Sequence, residues 1–157
     1  MSQPEPFTAE RAVELIAAHA DQEGALLPVL HALQHAFGFI PTEAVPIVAG
    51  ALNLSRADVH GVVTFYHDFR TEPAGRRVLK LCRAEACQAR GGDAIAAQAE
   101  KALGVAIGQT TKDQRVTLEP TYCLGLCASG PSAMLDERII GRIDAARLDA
   151  LIAEARA

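Results

Sequence analysis

Arg77-Val78-Leu79-Lys80-Leu81-Cys82-Arg83-Ala84-Glu85-Ala86-Cys87 is the stretch on which the fold turns. Arg77 to Leu81 is a short β-rich run leading straight into Cys82, and the spacing from there is Cys-x4-Cys. The pattern has a counterpart downstream. Val116 to Tyr122 reads as extended and leads into Cys123, followed by Cys127 in a Cys-x3-Cys spacing. The chain holds four cysteines, so these two pairs use all of them. Each pair falls just beyond a predicted strand, in a loop. Loops beyond strand ends converge on one edge of a sheet, so two of them side by side can bring four thiolates to one point.

Around these pairs the sequence predicts a small sheet covered by helices. Asp93 to Leu103 reads as a helix that stops at Gly104. Ser132 to Leu135 and Arg138 to Ile140 can pair through a tight turn at Asp136-Glu137. Asp144 caps a last helix with Leu148, Leu151, Ile152 and Ala155 on one face. The order is β-α-β-β-β-α, and one layer of sheet with packed helices is the economical arrangement.

Upstream the period is helical. Thr8 can cap a helix with Val13, Ile16, Ala17 and Ala20 on one side. Leu26, Leu30, Leu33 and Phe37 form a second stripe ended by Gly38, and Pro41-Thr42-Glu43 opens a third helix towards Leu52. Ser55-Arg56-Ala57-Asp58 is a capping-box pattern ahead of Val59, Val62, Val63 and Tyr66. Glu72-Pro73-Ala74-Gly75 breaks the pattern. The expected organisation is therefore α+β: a small helical bundle over residues 1–75 and a sheet-containing domain over residues 76–157.

Composition narrows the function classes. Half of the 157 residues are apolar and 22% are charged, which suits a packed core and argues against wholesale disorder. The net charge is −4 with no basic run, so a nucleic-acid partner is not expected. No stretch approaches the ~20 apolar residues of a membrane-spanning helix. Met1 to Pro6 lacks the basic start and apolar block of a secretory signal. The expectation is a cytoplasmic chain with reduced thiols and no direct membrane insertion.

Four thiolates suit either Zn²⁺ or an iron–sulfur cluster. Structural zinc sites favour tighter Cys-x2-Cys knuckles, although spacings up to four residues occur. Longer loops suit a larger object with two metals, one per pair. Gly125, inside Cys123-Leu124-Gly125-Leu126-Cys127, permits a turn of positive φ that aims backbone N–H groups at sulfur, while Leu124 and Leu126 can shield it from water. Two disulfides conflict with a reducing compartment, and a dithiol oxidoreductase lacks its Cys-x-x-Cys. A zinc-stabilised interaction module and four unrelated buried cysteines stay open beside the cluster.

The two cysteine pairs on this frame resemble the thioredoxin-like [2Fe–2S] ferredoxins. Leu27-Pro28-Val29-Leu30, Phe37-Gly38-Phe39-Ile40-Pro41 and Gly61-Val62-Val63-Thr64-Phe65-Tyr66 are similar to the N-terminal region of the small [2Fe–2S] subunit of respiratory complex I. Asn53-Leu54-Ser55-Arg56-Ala57-Asp58-Val59-His60-Gly61, Phe65-Tyr66-His67-Asp68-Phe69-Arg70 and Cys82-Arg83-Ala84-Glu85-Ala86-Cys87-Gln88 resemble most the gamma subunit of cytosolic, molybdenum-containing, NAD-dependent formate dehydrogenase. Complex I relatives often carry small or hydroxyl residues between the first two ligands, whereas this insert holds Arg83 and Glu85. NAD-linked hydrogenase subunits share the same frame.

The resemblance implies one [2Fe–2S] cluster whose iron is ligated by Cys82, Cys87, Cys123 and Cys127. It implies an electron-transfer subunit with no catalytic residue of its own. Formate is then oxidised at the molybdenum cofactor of an alpha subunit. Electrons pass through further Fe–S clusters to the FMN of a flavin- and NAD-binding beta subunit, where NAD⁺ is reduced. The alternatives are the equivalent subunit of complex I (NADH:quinone oxidoreductase) or of an NAD-linked hydrogenase.

The remaining residues offer no substrate chemistry. No Gly-x-Gly-x-x-Gly joins a strand to a helix, and Gly91-Gly92 reads as a helix-start or turn device. His31 and His35 stand four apart on a predicted helix but lack a completing acid, so a solvated or partner-facing surface is expected. His60 and His67 flank Phe65-Tyr66, where packing or interface contacts are expected. Phe65, Tyr66 and Phe69 are expected in the core. Arg83 is read either as a charge beside the cluster, favouring its more negative reduced state, or as a solvated loop charge.

Overall fold

The computed structural model describes residues 4–157, which fall into two compact units, residues up to Pro73 and Ala74–Ala157. The first unit consists of α1 (Ala9–Ala17), α2 (Leu26–Phe37), α3 (Ala44–Leu52) and α4 (Arg56–Phe65). Its helix ends follow local chemistry. The Thr8 side chain accepts the Arg11 N–H at 3.2 Å. Gly38 ends α2 in the left-handed region at φ 81°, which costs a glycine nothing. Ser55 and Asp58 close a reciprocal box at the start of α4. The core gathers Ala12, Ile16, Val29, Leu30, Leu33, Phe37, Ile40, Val48, Val59 and Val63. After α4 the chain returns to this core through Phe69, and Gln34 holds the segment by donating to the Asp68 carbonyl and accepting from the Arg70 N–H.

Three large apolar assignments change. Val13 is 53% exposed, because α1 turns Ala12 and Ile16, one residue out of phase with it, onto the core. Phe65 and Tyr66 are also exposed, at 73% and 43%, while Phe69 is buried. Tyr66 ends α4 in an extended conformation at ψ 116°, so the helical face that would have carried it inward stops one residue earlier.

The second unit is a five-stranded sheet of order β2-β3-β1-β4-β5, with α5 (Glu85–Gln88), α6 (Gly92–Leu103) and α7 (Ala145–Arg156). The strands are β1 (Arg77–Cys82), β2 (Gln109–Thr110), β3 (Val116–Thr121), β4 (Ala133–Leu135) and β5 (Arg138–Ile140). β1 is central, and Val78, Leu79, Leu81 and Cys82 are all buried, so its sequence is a near-continuous apolar run. β1 and β3 are parallel, with Leu79 beside Leu118 and Cys82 beside Thr121. Parallel neighbours need a long crossover, and α6 lies within it. β4 and β5 are antiparallel around Asp136, which stands at φ 54°. The thioredoxin-like α+β architecture carries two elements beyond the expected β-α-β-β-β-α order. These are β2, which is two residues long and polar, and the single turn α5. Neither is long enough to show a period.

Leu79, Leu81, Ala96, Ala99, Leu103, Val116, Leu118, Leu135, Leu148 and Ile152 form the second core. Among the described residues no helix is long and apolar enough to cross a membrane.

Candidate metal centre

The parallel register decides where the cysteines meet. Cys82 is the last residue of β1 and pairs with Thr121, the last of β3, two positions before Cys123. The Arg83 N–H donates to the Thr121 carbonyl at 2.8 Å, carrying the alignment one step past the strands. Both cysteine-bearing segments therefore leave the same edge of the sheet. Cys82 is placed in the strand itself rather than in the loop after it, and Cys87 is on the one-turn helix α5. Cys127 opens a 3₁₀ turn, Cys127–Ser129.

The two pairs differ in surroundings. Cys82 and Cys87 are buried, at 4% and 2% exposure, whereas Cys123 and Cys127 are exposed. The Cys123 and Cys127 sulfurs are 4.0 Å apart. The edge of a tetrahedral thiolate site with ~2.3 Å metal–sulfur bonds is roughly 3.8 Å, so this pair is already spaced to share one metal. All four cysteines are free thiols. Among the described residues no three His, Cys, Asp or Glu side chains close on a single point tightly enough for one ion. The thiols stand as two neighbouring pairs, which suits one metal per pair in a two-metal cluster.

Backbone geometry aims donors at these sulfurs. Cys123 is held at φ 90° and Gly125 at φ 76°, and the Gly125 N–H donates to the Cys123 sulfur at 3.4 Å. Leu124 and Leu126 on either side of Gly125 are half-buried. Burial pushes the Cys82 thiol up, but hydrogen bonds from the Ala84 N–H, the Cys87 thiol, the Cys123 N–H and the Ser132 hydroxyl outweigh it, and Cys82 sits below an ordinary thiol. Cys127 is raised, chiefly by sharing a hydrogen bond with Cys123 and by the charge of that neighbour.

Three supporting residues carry almost no signal in the sequence. Ser132 is buried, with its hydroxyl 3.5 Å from the Cys87 sulfur. Gly130 leaves the space for that sulfur: a Cβ on it would stand 3.3 Å from Cys87 Sγ. Gly92 begins α6 hard against the Cys87 carbonyl. Their signs in the sequence are Gly91-Gly92, read as a helix-start device and found where α6 begins, and the turn dipeptide Gly130-Pro131 shortly after Cys127.

Arg83 is not the solvated loop charge of one expectation. Its guanidinium pairs with Asp93 at 2.9 Å and donates to the Gly92 carbonyl at 3.3 Å, so it ties the first cysteine loop to the start of α6. Gln88 closes the same loop by donating to the Arg83 carbonyl at 2.6 Å. His31 packs its ring on Phe69 at 4.9 Å, and His35, His60 and His67 are exposed.

The family model of the thioredoxin-like [2Fe–2S] ferredoxins matches residues 12–156. This chain belongs to that family. It is 37% identical over 152 residues to an NADH-quinone oxidoreductase subunit of Rhizobium meliloti (strain 1021), covering 96% of this chain and 90% of the relative. It is 40% identical over 119 residues to an NADH-quinone oxidoreductase subunit of Escherichia coli (strain K12), covering 76% and 72%. It is 32% identical over 151 residues to the NADP-reducing hydrogenase subunit HndA of Solidesulfovibrio fructosivorans, covering 96% and 88%. Among solved structures, an NAD⁺-reducing [NiFe]-hydrogenase in the H₂-reduced state superposes with a TM-score of 0.71 at 30% identity over 83% of this chain. The match spans 22% of that hydrogenase chain.

The donor set fits the cluster of this family. Cys82 and Cys87 would hold one iron and Cys123 and Cys127 the other, through four thiolates.

Proposed function

We propose that the chain is the [2Fe–2S] electron-transfer subunit of a multi-subunit, NAD-linked oxidoreductase, with Cys82, Cys87, Cys123 and Cys127 as the ligands. The observation that carries this reading is the β1–β3 register, which sets Cys82 beside Thr121 and so delivers both thiol pairs to one sheet edge. When bound, such a cluster supplies one-electron transfer. The chain's own residues position the sulfurs, donate hydrogen bonds to them and keep one pair dry. Substrate, flavin and nicotinamide sites belong to partner subunits in this reading.

The parent complex is the finer question. The relatives named above favour an NADH-quinone oxidoreductase or an NAD(P)-reducing hydrogenase over the formate dehydrogenase expected from the sequence. One observation supports the formate dehydrogenase gamma reading: the insert Arg83-Ala84-Glu85-Ala86 between the first ligands, with Arg83 tied to Asp93. That reading adds a molybdenum-containing alpha subunit and an FMN- and NAD-binding beta subunit with further Fe–S clusters. Oxygen-free affinity purification from the native cell, with metal analysis of the co-eluting complex, separates the parents: molybdenum with formate-dependent NAD⁺ reduction, nickel with hydrogen uptake, or quinone reduction with neither metal.

The cluster itself is tested on the purified chain by counting iron, sulfide and zinc and recording electron paramagnetic resonance after dithionite reduction. Equal iron and sulfide, two of each per chain, with a spin-half signal on reduction is the expected result. One zinc, no iron and failed reconstitution would replace the cluster with a structural zinc module.

A further inference from the structure

We propose that the hydroxyl of Ser132 donates a hydrogen bond to the buried ligand pair and thereby sets the reduction potential of the centre. The proposal rests on the cluster reading above. Ser132 is 3% exposed, and its oxygen lies 3.5 Å from the sulfur of Cys87. Among the described residues no buried side-chain oxygen or nitrogen lacks a partner. The placement is built rather than incidental. The Cys82 N–H donates to the Ser132 carbonyl at 3.0 Å, fastening the serine to the other buried ligand. Gly130 clears the sulfur's space, and the Arg90 guanidinium holds the Gly130 carbonyl at 2.8 Å.

In the metal-free thiol, either partner of the Ser132–Cys87 contact could carry the proton. Ligation removes that ambiguity. A cysteine bound to iron is a thiolate and has no S–H, so the only proton in the contact is on the serine oxygen. The contact is then a hydrogen bond only with the serine hydroxyl as donor. Reduction adds one electron to the cluster, supplied by the external reductant, with no bond broken and no proton taken up. Part of the added negative charge falls on the sulfurs, so the donated hydrogen bond strengthens in the reduced state. Because the site is buried, the effect is little screened. Ser132 therefore raises the potential, and removing its hydroxyl lowers it.

The test compares intact protein with Ser132→Ala, Ser132→Gly and Ser132→Thr by potentiometric titration of the paramagnetic resonance signal, with iron and sulfide counted in each sample. S132A should keep its iron and sulfide and lose about tenfold in the reduced-to-oxidised ratio at a fixed potential, a shift of about 59 mV to the negative for a one-electron couple. S132T, which restores a hydroxyl, should return most of the shift. An S132A protein with a full cluster and an unmoved midpoint overturns the proposal. S132G deletes the hydroxyl without adding a group and carries the same test if S132A does not retain iron. If neither variant holds a cluster while S132T does, the hydroxyl is needed for assembly and the potential-setting role is overturned. A wild-type chain without iron after reconstitution overturns the cluster reading, a different failure that no serine variant can produce.

Discussion

Gly92 meets Cys87 across the start of α6: a Cβ on Gly92 would stand 2.7 Å from the Cys87 carbonyl oxygen and 2.9 Å from its carbonyl carbon. Both are backbone atoms, so the strain cannot be relieved by a rotamer change. Gly92→Ala should move α5, and with it a proposed ligand, at a cost of about 1–3 kcal/mol in stability. Urea unfolding with iron content measured in parallel checks this, and an unchanged midpoint and iron count would contradict the contact. Gly50, inside α3, is the control, because a Cβ added there would meet nothing within 4 Å. Gly50→Ala should be neutral or stabilising by up to about 1 kcal/mol.

Cys123→Ser should abolish the cluster or alter its resonance signal, because an alkoxide ligand has a different charge distribution from a thiolate. Cys123 also turns its N–H towards the Cys82 sulfur from φ 90°, a backbone contact that the substitution keeps. A normal signal from a fully loaded Cys123→Ser protein would remove Cys123 from the ligand set.

Phe65 and Phe69 make opposite predictions, although as aromatic residues both are expected in the core. Phe65→Ser, at 73% exposure, should leave the stability of the helical unit within about 0.5 kcal/mol. Phe69→Ala, at 8% exposure and in ring contact with His31 and Tyr66, should cost about 3–5 kcal/mol. Chemical denaturation followed by circular dichroism separates them, and equal costs would refute the assigned burial.

The Ser55–Asp58 box predicts both a mutant and a pH effect. Ser55→Ala removes an N-cap and should cost about 1 kcal/mol. Hydrogen bonds from the Ser55 hydroxyl and then its N–H hold the Asp58 carboxyl below its ordinary value of 3.8. A depressed folded-state value means the unfolded chain binds the proton first. The contribution is therefore whole above the ordinary carboxylate range and is lost as the pH falls through the lower folded value. Stability curves measured down to strongly acid pH should lose this component in Ser55→Ala, and identical acid limbs in the two proteins would count against the box.

Much of this protein is legible in its residues because the signals are local. A hydroxyl at Thr8 or Ser55 finds an amide three residues on whatever else the chain does, and Gly38 and Gly104 can end helices because they carry no Cβ. The β-rich run from Arg77 to Leu81 announces a strand, and the placement of a cysteine pair after each of two strands announces that both pairs lie at one sheet edge. Other features depend on residues far apart in the chain meeting in space. Val13 and Tyr66 fit a helical stripe by spacing, yet the phase of α1 and the end of α4 leave them in solvent. Arg83 reads as a loop charge until α6 presents Asp93 and the Gly92 carbonyl to it. Spacing alone makes the cysteines candidates. The parallel β1–β3 register decides that they meet, that Cys82 and Cys87 are the dry pair, and that Ser132, 45 positions after Cys87, is the hydroxyl against them, since burial and hydrogen-bond partners exist only once the sheet has closed.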